Sequence, residues 1–216
     1  DELNRLLAGR LYELYGVAEG FVTVLEREDV SAKPDSVGVP PQFFRMKILD
    51  EQNREAAPYT VGEICGTGPI RMKEYYKRPD LTAQTVVDGL VHTGDMGYVD
   101  EDGFLYLVDR KKDMIISGGV NVYPRDIEEV AVQHPSVNEV AVFGVPHDKW
   151  GETPVAAVVL NKTAQETAEE IRDWINARVE AKFQRVSEVI VHEEFPRNVA
   201  GKILKKDLRK PFWPDA

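Results

Sequence analysis

From Phe21 to about Val108, short apolar runs (FVTVL, FFRMKIL, VGEIC, FLYLV) alternate with clusters of Gly, Pro, Asp and Asn. Runs of this length bounded by turn-forming residues predict antiparallel strands. The DEDG at 100–103 predicts a tight turn that folds GFLYLVD back on MGYV as a hairpin. The run Asp109, Arg110, Lys111, Lys112, Asp113 then separates two apolar segments, and so dense a run of charges cannot be a buried strand. It is the natural boundary: residues 1–109 precede it, 110–113 form a connection, and 114–216 follow. In MIISGGVNVYP, Gly118 and Gly119 permit unusual backbone angles and Pro124 opens a helix. Ile127, Val130 and Ala131 share one face of that helix until His134 and Pro135 stop it. Two strands, EVAVFGV and PVAAVVL, flank the polar loop PHDKWGET. From Glu166 to Lys182, the residues Ile171, Trp174, Ile175 and Val179 recur at three- and four-residue steps, which predicts an amphipathic helix. A last strand is expected over about 186–191. The order helix, strand, strand, helix, strand defines a small α+β domain with a three-stranded sheet and flanking helices, behind a β-rich first half.

Composition narrows the partners. There are 27 Lys and Arg against 37 Asp and Glu, a formal charge of -10. That balance argues against general nucleic-acid or anionic-membrane binding, which favour a basic face. Any polyanionic ligand must therefore meet local positive charge, and Lys202, Lys205, Lys206, Arg209 and Lys210 gather near the end. Cys65 is the single cysteine, so no internal disulfide can form, and a reducing cytoplasmic setting fits. The four histidines are scattered, which disfavours a histidine metal site. No apolar run approaches the ~18 residues of a membrane span, and DELNRLLAGR is too charged for a signal peptide. The chain lacks an initiating Met and opens in what reads as a helical segment, so further coding sequence is expected to precede it.

Four short constellations carry candidate chemistry. In Tyr15-Gly16-Val17-Ala18-Glu19 the aromatic can stack on a purine, and the carboxylate four residues on can hold a magnesium ion that bridges phosphates. A packed Tyr and a solvated Glu are the plainer alternative. In Thr93-Gly94-Asp95, placed before a strand, Asp95 can accept hydrogen bonds from both ribose hydroxyls of a nucleotide, or merely stabilise a turn. In DRKKDMIISGGVNVYP, Arg110 can reach ribose or phosphate oxygens while the glycines let backbone approach a ligand; a linker with a Gly turn would look the same. In PRNVAGKILKKDLR, Gly201 gives a loop flexibility. Lys202 can there deliver a point charge to a carboxyl oxygen and a phosphate, unless it is simply solvated.

In this order and spacing the four resemble the adenylate-forming superfamily, which includes AMP-forming acyl-CoA synthetases, luciferases and peptide-synthetase adenylation domains. The resemblance covers essentially the whole chain and implies the C-terminal portion of such an enzyme. On it, residues 1–109 are the distorted-barrel end of a large adenylation domain and 114–216 a small mobile domain. It implies ATP, Mg²⁺ and CoA as cofactors and a small-molecule carboxylic acid as substrate, with nucleotide contacts at Tyr15, Gly16, Asp95 and Arg110. The metal would sit at Glu19, Lys202 would be the catalytic lysine, and Lys112 the hinge. Ser117, Gly118 and Gly119 would line the path of the thiol. The wording ISGGVNVYP is closer to fatty- and aryl-acid ligases than to acetate-specific ones. Ala18 departs from the family's usual Thr or Ser, so one hydroxyl contact is missing or supplied elsewhere. The family's phosphate loop and acyl pocket would lie upstream of Asp1, so these 216 residues alone are expected not to turn over substrate. No carrier domain is expected after Ala216, an expectation that favours free CoA over a carrier-bound thiol. Loading of a carrier-protein phosphopantetheine, adenylate oxidation of the luciferase kind, and a catalytically silent nucleotide-binding or interaction module are the competing readings.

Overall fold

The computed structural model describes residues 6, 7 and 10–213. The helical opening expected at the start of the chain falls largely outside the described residues. The chain divides between Lys111 and Lys112 into two compact units, and this point lies inside the charged run.

The first unit is built on strands. β1 (Glu13–Val17) and β2 (Phe21–Leu25) form a hairpin. β3 (Arg45–Leu49), β4 (Gly62–Thr67), β5 (Val86–Val87), β6 (Leu90–Val99) and β7 (Leu105–Arg110) form a five-stranded sheet in which β6 pairs with β4, β5 and β7. Residues 36–39 link the two. Val39 bridges Val24 of β2, while Val37 donates its N–H to Leu105 O at 2.8 Å. Backbone pairing therefore runs from β1 through β2, this segment, β7, β6 and β4 to β3, wrapped around Phe21, Val37, Ile48, Ile64 and Leu105, all buried. Gly66 makes that wrapping possible, because a Cβ there would lie 2.1 Å from the ring of Phe21.

The DEDG hairpin forms as the pattern predicts, with Tyr98 opposite Tyr106 and their rings stacked at 5.0 Å. Its turn is held by Asp100, whose Oδ1 accepts the N–H groups of Asp102 and Phe104, while Lys33 Nζ reaches Oδ2 at 2.7 Å. β6 is longer than MGYV suggests. It begins at Leu90 and carries Thr93, Gly94 and Asp95 within the strand as a bulge. A short helix, α1 (Pro79–Thr85), without a buried residue, precedes β5. The pairing of β7 continues through Asp109 and Arg110, and neither is buried.

The second unit has a sheet covered on both faces. β10 (Val137–His147) and β11 (Gly151–Leu160) are its long central hairpin, and β12 (Glu188–His192) runs parallel to β11. These are the three expected strands. Two short ones, β8 (Ile115–Ser117) and β9 (Val120–Val122), form a hairpin that joins β11 where Ser117 meets Gly151. Side chains alternate along the central strands as strand geometry requires. Val142, Ala156 and Val158 pack with Ile127, Ile171 and Ile175 of two helices, α2 (Pro124–Ala131) and α3 (Ala168–Asn176). Ala141, Phe143, Val155 and Ala157 pack on the opposite face with Phe195 and with Leu208 of α4 (Lys205–Arg209).

The loop between β10 and β11 is shorter than its polar sequence suggests. His147 pairs with Gly151, and the His147 Nδ1 accepts the backbone N–H groups of Lys149 and Trp150. α3 stops at Asn176, before the end of the amphipathic pattern. The Asn176 amide exchanges two hydrogen bonds with the backbone of Val186, at 2.9 and 2.8 Å, and so ties the helix end to the segment entering β12. At its start, Thr167 Oγ1 accepts the Glu170 N–H and Glu170 accepts the Thr167 N–H, a reciprocal cap. Thr167→Ala is expected to destabilise the fold by about 1 kcal/mol, read as a lowered urea midpoint with unchanged m-value.

Candidate active site

Three of the singled-out residues meet in the first unit. Tyr15 enters from β1, Asp95 from the β6 bulge, and Arg110 from β7 directly opposite Asp95. The Tyr15 hydroxyl donates to Asp95 Oδ2 at 2.8 Å, and Arg110 Nε lies 3.4 Å from Asp95 Oδ1. Burial pushes the Tyr15 phenol well above its ordinary value, with the Asp95 charge adding to the effect. The phenol is therefore a fixed donor at neutral pH. Asp95 keeps 18% of its side chain exposed, so a ligand with two hydroxyl donors can compete for its oxygens. Gly16 follows Tyr15 opposite Val22, and a Cβ there would lie 2.8 Å from both Phe21 O and Val22 Cγ1.

The bulge explains how Asp95 is presented. Between the pairs Glu63–Met96 and Cys65–His92, Ile64 alone on β4 faces Thr93, Gly94 and Asp95 on β6. The extra residues turn the strand at Gly94, whose φ of 71° suits glycine. Thr93 Oγ1 donates to Ile64 O at 2.8 Å and accepts the Asp95 N–H at 3.1 Å.

Glu19 sits at the tip of the β1–β2 hairpin, where it accepts a hydrogen bond from the Tyr75 hydroxyl, and that bond raises the Tyr75 pKa. The Met72 N–H bonds to Glu19 O at 2.8 Å, fixing the backbone there. A lone, partly exposed carboxylate suits Mg²⁺, which takes one or two carboxylates and fills its shell with water and phosphate. Ala18 is exposed on the same turn. The carboxylate, thiol and imidazole of Glu63, Cys65 and His92 also lie within 4.8 Å of one another. Their sulfur and nitrogen donors do not suit magnesium, and the Lys111 ammonium already balances Glu63 at 2.9 Å. Cys65 is fully buried, which pushes its thiol up to about 12.

The second unit holds the rest. Ser117 is buried at the end of β8, and Gly118 and Gly119 make the two-residue turn into β9 with φ values of 60° and 81°. Positive φ at both central positions is what such a hairpin turn demands. The Gly118 N–H donates to Trp150 O at 2.8 Å, and the Trp150 indole lies so close that a Cβ on Gly118 would be 2.9 Å from it. Lys112 is exposed in the turn that opens this unit. Lys202 is also exposed, in a turn pinned by Asn198: Asn198 Oδ1 accepts the Lys202 N–H at 2.9 Å, and Lys202 O accepts the Asn198 N–H at 3.0 Å. Of the other basic residues near the end, Lys205 is paired with Glu128 at 2.7 Å. Sequence reasoning gave no role to Glu63, His92, Lys111, Tyr75 or Trp150, although His92 directly precedes Thr93 and Lys111 lies between Arg110 and Lys112.

Residues 126–202 match the family model described as the AMP-binding enzyme C-terminal domain, and residues 1–76 match the one described as AMP-binding enzyme. The chain belongs to the adenylate-forming superfamily of AMP-binding enzymes and matches its C-terminal portion. Among its relatives are a fatty acid–[acyl-carrier-protein] ligase of Streptomyces coeruleorubidus, 39% identical over 100% of this chain and 42% of its own length, and a long-chain-fatty-acid–CoA ligase of Bacillus subtilis, 41% identical over 96% and 37%. The o-succinylbenzoate CoA synthetase of Bacillus subtilis, solved with its acyl-adenylate intermediate, superposes with a TM-score of 0.86 at 36% identity, covering 96% of this chain and 43% of that one. It has also been solved with ATP and magnesium ion, at a TM-score of 0.83 and 34% identity over 96% of this chain and 44% of that one. The chain thus spans about two fifths of the length of the curated relatives it matches.

Proposed function

We propose that the chain is part of an ATP-dependent acid–thiol ligase, which converts a carboxylic acid, ATP and CoA to acyl-CoA, AMP and pyrophosphate through an acyl-adenylate. Its substrates on this reading are fatty or aryl acids, and its setting is cytoplasmic. The observation that carries the proposal is the Asp95 carboxylate, lifted from its strand by a bulge and held between Tyr15 and Arg110. A ribose diol supplies two O–H donors to such a carboxylate, in place of the Tyr15 hydroxyl and the Arg110 guanidinium. The Tyr15 ring then offers a face to the purine, and Arg110 turns to ribose or phosphate oxygens.

A carboxylate is a poor acyl donor until its oxygen is made a leaving group. In the first half-reaction it attacks the α-phosphate, and negative charge grows on the phosphate and departing pyrophosphate oxygens. Lys202 places an ammonium against that charge. Magnesium held at Glu19 would supply further neutralisation of the phosphates. In the second half-reaction the thiol attacks the mixed anhydride, with Ser117, Gly118 and Gly119 along its path and Lys112 as the hinge residue. Nothing lies within 4 Å of where a Cβ on Gly119 would stand, which leaves room for a pantetheine chain beside it. The relatives named above, a carrier-protein ligase and CoA ligases, support acid–thiol ligation as the class.

The test supplies the full-length gene product with Mg²⁺, ATP, CoA and a panel of fatty and aryl acids, and follows AMP. Release that depends on both an acid and CoA is the expected result; release indifferent to CoA would sink the ligase reading. The carrier-protein relative justifies one more arm, since release driven by a phosphopantetheinylated carrier protein but not by CoA would move the acceptor to the carrier.

A further inference from the structure

We infer that Glu63 is a positioning residue for nucleotide binding, closing a ring with Gly94 and Lys111 that fixes the backbone on which Asp95 and Arg110 are carried. The inference rests on the reading of Asp95 as the ribose-binding carboxylate. Both oxygens of Glu63 are engaged. Oε1 accepts the Gly94 N–H at 3.2 Å, and Oε2 receives Lys111 Nζ at 2.9 Å and meets His92 Nδ1 at 3.1 Å. The other side of the same glycine is held too, because the Lys111 N–H donates to Gly94 O at 2.9 Å. The ring therefore runs from the Glu63 carboxylate through the Gly94 backbone to the Lys111 backbone, out along the lysine side chain and back to the carboxylate.

Asp95 is the next residue after Gly94, and Arg110 the one before Lys111. Two adjacent points of the ring thus set both groups proposed to meet the ribose. A bulge with three residues facing one has lost its regular ladder bonds, so its conformation depends on such substitutes. A carboxylate on a side chain only 10% exposed is expensive unless paired, and a hydrophobic residue would fill the position at lower cost if packing were its only role. Burial alone would raise the Glu63 carboxyl, yet the Lys111 ammonium and His92 hold it below the usual carboxylate range. The ring is accordingly charged at neutral pH. Lys111 is also the last residue of the first unit, so its anchoring fixes the near end of the connection to Lys112.

The experiment compares wild type, Glu63→Gln, Lys111→Met and the double variant of the full-length gene product, with Glu55→Gln as an exposed ion-pair control. AMP affinity is measured by calorimetry, and the ATP KM and kcat by ATP–pyrophosphate exchange. Each single variant is expected to weaken AMP binding and raise the ATP KM about 10-fold with kcat within twofold, the double variant to be no worse than either, and the control to match wild type. Amide hydrogen exchange at Gly94 should quicken about 10-fold in both single variants. Lys111 is 55% exposed, so Lys111→Met tests the ring without emptying a buried site. Unchanged affinity and KM in both single variants, or effects that add in the double, would overturn the inference. A wild type that binds neither AMP nor ATP overturns the nucleotide reading itself. Quickened Gly94 exchange would then show a ring that shapes the bulge without serving a nucleotide.

Discussion

Lys202→Ala is expected to lower ATP–pyrophosphate exchange about 10²- to 10³-fold, while thioester formation from a supplied acyl-adenylate keeps most of its rate. The size follows from removing one preorganised charge-stabilising donor at a phosphoryl-transfer centre. The selectivity follows from the proposed division of labour, in which charge grows on phosphate only in the first half-reaction. The surroundings of Lys202 make the experiment clean. Its backbone, not its side chain, holds the turn, through Asn198 Oδ1 and the Asn198 N–H. An exposed side chain outside any bonding network changes stability by ~0.5 kcal/mol or less, so a large kinetic loss cannot be put down to unfolding. Lys202→Met, which keeps the apolar stem, should match the alanine variant. Equal losses in both half-reactions would remove Lys202 from the specific role given to it.

Asp95→Ala should cost about 2–3 kcal/mol of nucleotide affinity, a rise of roughly 30- to 160-fold in the dissociation constant of AMP, because hydrogen bonds to a charged acceptor are the strong ones. Asp95→Asn should fall in between, since its amide oxygen still accepts from one ribose hydroxyl while the carboxylate charge is gone. Tyr15→Phe keeps the ring and loses only the hydroxyl that contacts Asp95 at 2.8 Å. Its loss should be several-fold smaller if the ring face is what the purine uses. Calorimetric titration of the three variants orders them, and an alanine variant with wild-type affinity would take the ribose away from Asp95.

The elements legible in the sequence are those whose signal is local. The DEDG turn carries its own cap in Asp100, the strands β10 and β11 are long apolar runs, and one helical face of Ile171, Trp174 and Ile175 suffices to announce α3. What the sequence left dark depends on partners far along the chain. The extension of β6 through Thr93, Gly94 and Asp95 is hidden because its bulge exists only in register with β4, about thirty residues away. The strands β8 and β9, with three residues each, are too short to show a period. α3 ends early because Asn176 bonds to Val186, which no helical pattern reveals. Within the site, Tyr15 and Asp95 could be nominated beside glycines and Arg110 within a charged run, but the meeting of Tyr15 and Asp95 joins positions 80 residues apart. Glu63 was invisible for a related reason: in VGEIC it is one charge in a strand-forming run, and only the folded chain supplies the Lys111 ammonium that pairs with it.

The single cysteine has a practical side. Thiol reagents attack the thiolate, and Cys65 is both fully buried and raised to about 12, so at neutral pH almost none of it is available. A maleimide dye or spin label should therefore pass over the native residue. Cysteines introduced at exposed positions such as Lys112 or Val199 could then be labelled one at a time in these otherwise unaltered 216 residues. The chain is in effect already a cysteine-free background for spectroscopy of the turn that presents Lys202.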